Sequence, residues 1–581
     1  MQGPCSIRVA AKAAALAVLC AALPAAPAAA KADGSDPPHR LKRFYDQRVV
    51  WHPCDAEEAP LDLQCSAVAV PLDYARPGRG SIRLALARFR STADRPRGSL
   101  VLNFGGPGGE GVGRLAMAGK DFMPLAEEYD VVTFDPRGVG RSSPVTCGEA
   151  AYSGSPGSSG PPPGPPGFPG SPGSLDSPGS PRDDARDEAR GDARDDTGDG
   201  AGDAEDDGPN ASASPDRVAD GDPHPYLRRL REVAEACAAS SGPVLEHMGT
   251  VDAARDMDVI RHALGDRRLN YLGFSYGTRL GAVYAAQFPR RVGRFVLDGV
   301  DTLTEPPVEQ ARAGAAGQQA ALERFLAWCV RDIACPFGRD ARTAPRQVER
   351  LVDTLDAHPV PTAGGLGFSG QELVAALGQA LYSRALWPPL ERAVSDLVEY
   401  GDPRGLQGFT QGAFAPPVFG PDAPRRPEQP VPLDNPPAAL LAVNCADAPE
   451  RPSAERIAAG LDAMRASYEK ASPVFGRYRL AEALMCYGRP AGTDFVREKV
   501  RDLKTPRMLL VGTRGDPATP YRWTVETARR LGSSAVVLDN RGEGHTGYGS
   551  SRCVQRTVEA FLVHGELKGG SCPAEDPETG D

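Results

Sequence analysis

A chain of 581 residues is longer than one compact core needs, so a main domain carrying insertions is expected. Hydrophobic residues at 41% and charged residues at 24% are ordinary for a soluble protein. A net charge of -10 argues against a binder of nucleic acid or of an anionic membrane, and it leaves the substrate open.

Residues 1–30 read as an export signal. Arg8 and Lys12 supply positive charge, Ala13 to Leu23 an apolar run, and Ala28-Ala29-Ala30 a small-residue cleavage site. The run is too short and too rich in alanine to span a bilayer, and no later segment is apolar for long enough. Leu19 ahead of Cys20 is bulkier than a lipoprotein cleavage site tolerates. A secreted chain cut near Ala30 is expected. Cysteine usage agrees: of 12 cysteines, Cys5 and Cys20 leave with the signal, and the even remainder suits an oxidising compartment. Cys54 with Cys65, Cys329 with Cys335, and Cys553 with Cys572 are close enough for local loops. Cys147 with Cys237, and Cys445 with Cys486, would then be longer closures, although spacing alone does not fix the pairing. There is no C-x-x-C and no neighbouring histidine pair, so no metal site is implied.

Residues 31–149 open the main domain. Cys65 to Val70 and Ser81 to Arg90 look like antiparallel strands around the turn Arg76-Pro77-Gly78-Arg79-Gly80. Short apolar runs follow at Leu100–Asn103, Val131–Phe134, Leu269–Phe274, Arg294–Leu297, Arg507–Val511 and Ala535–Leu538. Runs this short and this apolar suit buried parallel strands. Helical stretches between them, such as Thr250 to Leu264 and Gly277 to Phe288, give an α/β fold: a mostly parallel sheet with helices on both faces.

Two stretches interrupt that rhythm. Residues 150–223 pass from Pro/Gly/Ser repeats into an Asp/Arg-rich tract with almost nothing to bury, and a disordered surface insertion is expected. The core resumes over 224–300. Residues 301–500 then read as helical: Leu322, Phe325, Leu326, Cys329 and Val330 recur at helical spacing, and Ser369 with Glu372 forms a capping box. A helical block between sheet strands is most simply a lid over the sheet's C-terminal edge. Residues 501–581 complete the core.

Gly273-Phe274-Ser275-Tyr276-Gly277 matches G-x-S-x-G between a strand and a small-residue helix. A serine at so tight a turn takes strained backbone angles, and flanking glycines let other backbone pass closely. Its hydroxyl then stands near a helix N-terminus that favours developing negative charge. Such a nucleophile needs a base. His545, in the glycine-rich loop after the last predicted strand, can reach over the sheet. His39 and His52 precede the core, His224 flanks the insertion, His262 and His564 fall in predicted helices, and His247 and His358 in linkers. Asp516, after the strand Arg507–Val511, is the expected orienting acid. Asp539 is its rival, but it follows the same strand as His545. The order Ser275, Asp516, His545 is that of α/β-hydrolases. Asn103-Phe104-Gly105-Gly106-Pro107-Gly108-Gly109 follows the strand from Leu100, where an oxyanion loop is expected, with Gly106 and Tyr276 as backbone donors. A phosphate-cradling loop would end in Lys-Ser/Thr, which this one does not.

At these residues the chain resembles the secreted tripeptidyl aminopeptidases of the prolyl-iminopeptidase-like α/β-hydrolases, with a TAP-like C-terminal region. The likeness rests on Val70-Pro71-Leu72-Asp73-Tyr74, Gly105-Gly106-Pro107-Gly108-Gly109, Asp135-Pro136-Arg137-Gly138-Val139-Gly140-Arg141-Ser142, the Ser275 pentapeptide, and the Asp516 and His545 loops. It implies removal of short peptides from a free N-terminus beneath a helical lid; a monomer without cofactor, metal or nucleic-acid partner is expected. Glu110 stands where a small residue is usual, and Arg489, in Cys486-Tyr487-Gly488-Arg489-Pro490, where tryptophan is usual. An aminopeptidase also presents a carboxylate to the substrate ammonium. Glu110, Asp298, Asp301 and Asp447 are the candidates, each alternatively an ordinary loop acid. A carboxylesterase or amidase would use the same triad, which does not set the substrate. A non-catalytic surface-binding protein would not need so complete a set.

Overall fold

The computed structural model describes residues 39–54, 60–148, 222–362, 367–410 and 431–575. The expected export signal, and the expected insertion as far as residue 221, lie outside the described residues.

Ten strands form one sheet. They are β1 (His52–Pro53), β2 (Leu63–Pro71), β3 (Ser81–Phe89), β4 (Ser99–Asn103), β5 (Asp130–Phe134), β6 (Leu269–Phe274), β7 (Val292–Asp298), β10 (Met508–Gly515), β11 (Ala535–Glu543) and β12 (Gly570–Cys572). The remaining two, β8 (Val360–Pro361) and β9 (Gly367–Phe368), pair apart from it. The sheet order is β1-β2-β3-β5-β4-β6-β7-β10-β11-β12. β2 and β3 form the antiparallel hairpin, β3 meets β5 antiparallel, and every pair from β5 to β12 is parallel. All six short apolar runs lie on these parallel strands. β1 and β12 had no such run to announce them.

The parallel strands are buried because both faces are covered, and strand alternation divides the side chains between two cores. Leu100, Leu102, Leu509 and Val511 point to one face, where they pack with Val112, Leu115, Val554 and Val558 of the helices Gly111–Ala118 and Arg552–Glu559. Val101, Leu510 and Met508 point to the other, towards the helices Thr250–Ala263 and Tyr276–Gln287. Leu269–Phe274 and Thr250–Ala263 fall almost where hydrophobic periodicity puts them.

Residues 307–499 are largely helical and have a core of their own. Leu322, Phe325, Leu326 and Cys329 form the buried face of the helix Pro307–Cys329. Ser369 and Glu372 make the expected capping box on Gly370–Ala380. One helix of this block departs from it: Asn435–Ala446 packs Ala438, Ala439 and Val443 into the core of the sheet. Five disulfides close the described chain, pairing Cys54–Cys65, Cys147–Cys237, Cys329–Cys335, Cys445–Cys486 and Cys553–Cys572.

One buried ion pair joins distant segments. Arg137, in the loop after β5, donates Nε and Nη2 to the two carboxylate oxygens of Asp256 at 2.7 and 2.6 Å. Its guanidinium also reaches the carbonyls of Leu72 and His247, while the Tyr74 hydroxyl donates to Asp256 at 2.8 Å. Both charges are essentially inaccessible. Removing one partner of such a pair strands the other in a dry interior, which typically costs about 3–5 kcal/mol. Asp256→Ala is therefore expected to lower the unfolding free energy by about that amount in a urea titration. A loss below about 1 kcal/mol would show that the pair does not hold these segments.

Candidate active site

Loops at the C-terminal edge of β4, β6, β7, β10 and β11 converge above β6. Ser275, at the turn into the helix Tyr276–Gln287, has φ 55° and ψ -125°. Such angles cost a residue other than glycine of order 1–3 kcal/mol and persist only where neighbours impose them. Here the Ser275 N–H donates to the Asp298 carbonyl at 2.9 Å, and the Thr278 N–H and hydroxyl donate to the Ser275 carbonyl at 2.8 and 2.6 Å. The flanking glycines are steric necessities. A Cβ on Gly273 would stand 2.6 Å from the Gly277 carbonyl oxygen, and one on Gly277 would stand 2.8 Å from that of Asn103.

The loop after β4 presses against this turn. A Cβ on Gly105 would meet the Phe274 carbonyl oxygen at 2.6 Å and the Ser275 Cβ at 2.9 Å, so no larger residue fits there. Gly106 and Tyr276 line one cavity with Ser275. Asp135 supports the loop's far end by accepting the N–H groups of Gly111, Val112 and Arg141 at 2.8–2.9 Å. Burial pushes its carboxyl up to about 6.

His545 and Asp516 come together from β11 and β10. The His545 Nδ1 lies 2.9 Å from each Asp516 carboxylate oxygen, and both side chains are buried. Asp516 also accepts from the N–H groups of Ala518 and Thr519 at 2.8 Å, the Thr519 hydroxyl at 2.9 Å and the Thr546 N–H at 3.2 Å. These donors fix the carboxylate's orientation, which makes Nδ1 the donor and Nε2 the acceptor of the ring. The rival, Asp539, is engaged by Arg514 at 2.7–3.2 Å. His545 and Ser275 line a second cavity together.

Two supports of this site carry no local sequence signal. Tyr382, from the helical block, accepts the His545 N–H on its carbonyl at 2.8 Å and sets its ring edge-on to the imidazole at 5.2 Å. Asp298, at the end of β7, holds Ser275 through its carbonyl, as above. Its carboxylate also accepts the N–H groups of Gly547 and Tyr548 at 2.8–3.0 Å. One residue thus anchors both the elbow and the histidine loop.

The four expected ammonium-binding acids separate. Asp298 is fully buried behind the histidine loop and lines neither cavity; its carboxylate is taken up by the Gly547 and Tyr548 N–H groups. Glu110 precedes the helix Gly111–Ala118 and lines neither cavity; burial raises its carboxyl. Asp301 and Asp447 do line the first cavity, joined there by Glu305 and Glu482. Asp301 pairs with Arg279 at 2.9 Å, Asp447 accepts from Thr250, Glu305 from Trp523 at 2.8 Å, and Glu482 from Arg479 at 2.9 Å. Burial raises the Asp447 carboxyl. Arg489 lies outside both cavities, with its guanidinium 3.2 Å from the Cys237 sulfur. Among the described residues, the one cluster with metal-ligand spacing is Cys329, Cys335 and Glu391, and its two sulfurs are already joined in a disulfide. No helix among those residues is long and apolar enough to cross a membrane.

The α/β-hydrolase fold family matches residues 99–388, and the TAP-like protein family matches residues 472–572. The chain is 30% identical over 537 residues to the serine protease Hip1 of Mycobacterium tuberculosis, covering 89% of each chain. It is 30% identical over 530 residues to the tripeptidyl aminopeptidase of Streptomyces lividans, covering 89% of this chain and 84% of the relative. A third relative, carboxylesterase B of Mycobacterium tuberculosis, is 30% identical over 511 residues, with 87% and 85% covered.

The Asp298 carboxylate faces two backbone donors, so an amide in its place would turn an N–H group on one of them. Displacing a base by about 1 Å can slow a reaction about 100-fold. Asp298→Asn is therefore expected to reduce kcat at least about ten-fold with little change in KM, read from steady-state kinetics. The pH dependence of stability should change as well. Burial lifts this carboxyl from its ordinary 3.8 to about 6, so the folded state takes up its proton first. The stability that proton uptake supplies is present in full below pH 3.8 and is lost as pH rises through 6. Denaturant titrations across this window should give a flatter profile for the variant than for the wild type.

Proposed function

This chain belongs to the α/β-hydrolase family, and from that premise we propose that it is a secreted serine exopeptidase that cuts short peptides from a free N-terminus. It is a serine hydrolase. In the proposed mechanism Ser275 attacks the scissile carbonyl while His545 Nε2 takes its proton, and Asp516 stabilises the imidazolium. The Gly106 and Tyr276 N–H groups hold the oxyanion, each contributing about 3 kcal/mol. His545 then protonates the departing amine, and water releases the acyl group from Ser275. Residues 301–500 act as the lid, and Tyr382 links that lid to the base. The five disulfides support an oxidising destination.

The observation that carries the exopeptidase reading is the cavity on the oxyanion side of Ser275. It is small, about 190 Å³, against several hundred for most ligand pockets. Asp301, Glu305, Asp447 and Glu482 line it together with Arg279, Arg479 and Arg497, four carboxylates to three guanidiniums. A small cavity with surplus negative charge accepts a short stretch of chain that ends in an ammonium group. The relatives named as a tripeptidyl aminopeptidase and a serine protease support a peptide substrate. The relative named carboxylesterase B keeps ester hydrolysis as the second reading.

A tripeptide p-nitroanilide with a free N-terminus, compared with its N-acetylated twin, separates the two readings. A charge-assisted hydrogen bond contributes about 1.5–3 kcal/mol, so acetylation is expected to lower kcat/KM about ten- to hundred-fold. Ser275→Ala should cleave neither. Equal cleavage of the two peptides would remove the N-terminal requirement. Turnover of small esters but of neither peptide would favour the carboxylesterase reading.

A further inference from the structure

Ser275 lies at the junction of two unequal cavities. The acidic cavity of about 190 Å³ contains Gly106 and Tyr276 but not His545. The other, of about 600 Å³, contains Ser275 and His545 but neither of those two residues. A leaving amine receives its proton from the imidazole, so it must occupy space that both Ser275 and His545 border. The larger cavity meets that condition and the smaller does not.

Its wall beside Ser275 is aromatic. Phe104 and Phe274 stack with centroids 6.0 Å apart, Phe122 and Tyr548 stack at 5.7 Å, and Phe104 meets Phe122 edge-on at 5.8 Å. All four rings border the cavity, and Ala118 leaves room next to them. The supports of these rings are distant in sequence. Phe104 comes from the glycine loop, Phe122 from the segment after the helix Gly111–Ala118, and Tyr548 from the loop that Asp298 holds. A rigid wall of ring faces and edges favours another ring or a bulky apolar side chain, through area burial and ring–ring contact.

We propose that this aromatic cavity is the leaving-group site, and that it selects substrates with an aromatic or bulky apolar residue directly after the scissile bond. The inference rests on the serine-hydrolase mechanism proposed above, and it adds a preference on the departing side of the cut.

Partitioning of the acyl-enzyme tests it without using the N-terminal preference. A tripeptide methyl ester acylates Ser275 and releases methanol. An added amine then competes with water: its nitrogen bonds to the acyl carbon, the Ser275 Oγ–carbon bond breaks, and the amine proton passes through His545 to Oγ. Phenylalaninamide is expected to capture the acyl group at least about ten-fold better than glycinamide, from the area a phenyl ring buries. Ala118→Trp, which fills the cavity, should bring that ratio close to one. Ala118→Leu should lower it part of the way, and it serves if the larger substitution does not fold. Equal capture of the two amines by the wild-type enzyme would overturn the proposal. So would filling variants that change selectivity for the residue before the scissile bond while leaving the amine ratio intact. If N-acetylation proves harmless but the amine ratio persists, the exopeptidase reading fails and this assignment stands. If acetylation matters and the ratio is one, the reverse holds.

Discussion

The site depends on where β7 ends. Its last residue, Asp298, accepts the Ser275 N–H on its carbonyl and the Gly547 and Tyr548 N–H groups on its carboxylate. The first bond helps to hold a serine in a backbone conformation it would otherwise leave, and the others fix the loop that carries His545. The two groups that cooperate in the proposed mechanism lie 270 residues apart in the chain, yet both are referred to one strand end. A buried carboxylate in that role is held against its own desolvation, which is why its proton affinity is raised. Stability is given up at neutral pH to keep two backbone donors, the Gly547 and Tyr548 N–H groups, satisfied by the carboxylate.

Around that anchor the loops form a mutually supporting set. The glycine loop can lie against Ser275 only because Gly105 has no Cβ, and Asp135 holds its far end. Asn435, from the helical block, accepts the Gly140 N–H and donates to the carbonyls of Gly138 and Val145. The same stretch contains Arg137, whose pairing with Asp256 ties it to Thr250–Ala263. Motifs that look unrelated to the chemistry, around Tyr74 and Arg137, therefore brace the floor beneath it. Tyr382 adds a contact from above. A shift of the helical block would be felt at the imidazole through these contacts.

Much of this was legible in the sequence where the signal is local. The parallel strands announce themselves as short apolar runs because both faces are buried, and the capping box at Ser369 is read from four residues. The serine turn is equally local, since its glycines answer to clashes within the turn and with the strand beside it. What was not legible depends on packing between distant segments. Asp298 stands in Asp298-Gly299, which reads as an ordinary turn, and its carboxylate partners lie 249 and 250 residues further on. Glu305 and Glu482 join the acidic cavity only because the loop before the helix Pro307–Cys329 and the distant helix Gly476–Ala483 bring them there. β12 has three residues, two of them exposed, and no apolar run could have signalled it. Glu110, a candidate acid that follows the glycine loop, stands at the N-cap of the helix Gly111–Ala118 and lines neither cavity, a placement no local pattern announces.

The central claim is that Ser275 is activated by His545, oriented by Asp516 and not by Asp539. An organophosphonate that reacts with activated serines tests it directly, with the site of labelling found by peptide mass mapping and its rate followed in single variants. The account predicts one adduct per chain, on Ser275. It also predicts a labelling rate that falls by roughly four orders of magnitude in Asp516→Asn and holds in Asp539→Asn. An adduct on another residue, or loss of labelling in Asp539→Asn with Asp516→Asn unaffected, would contradict it.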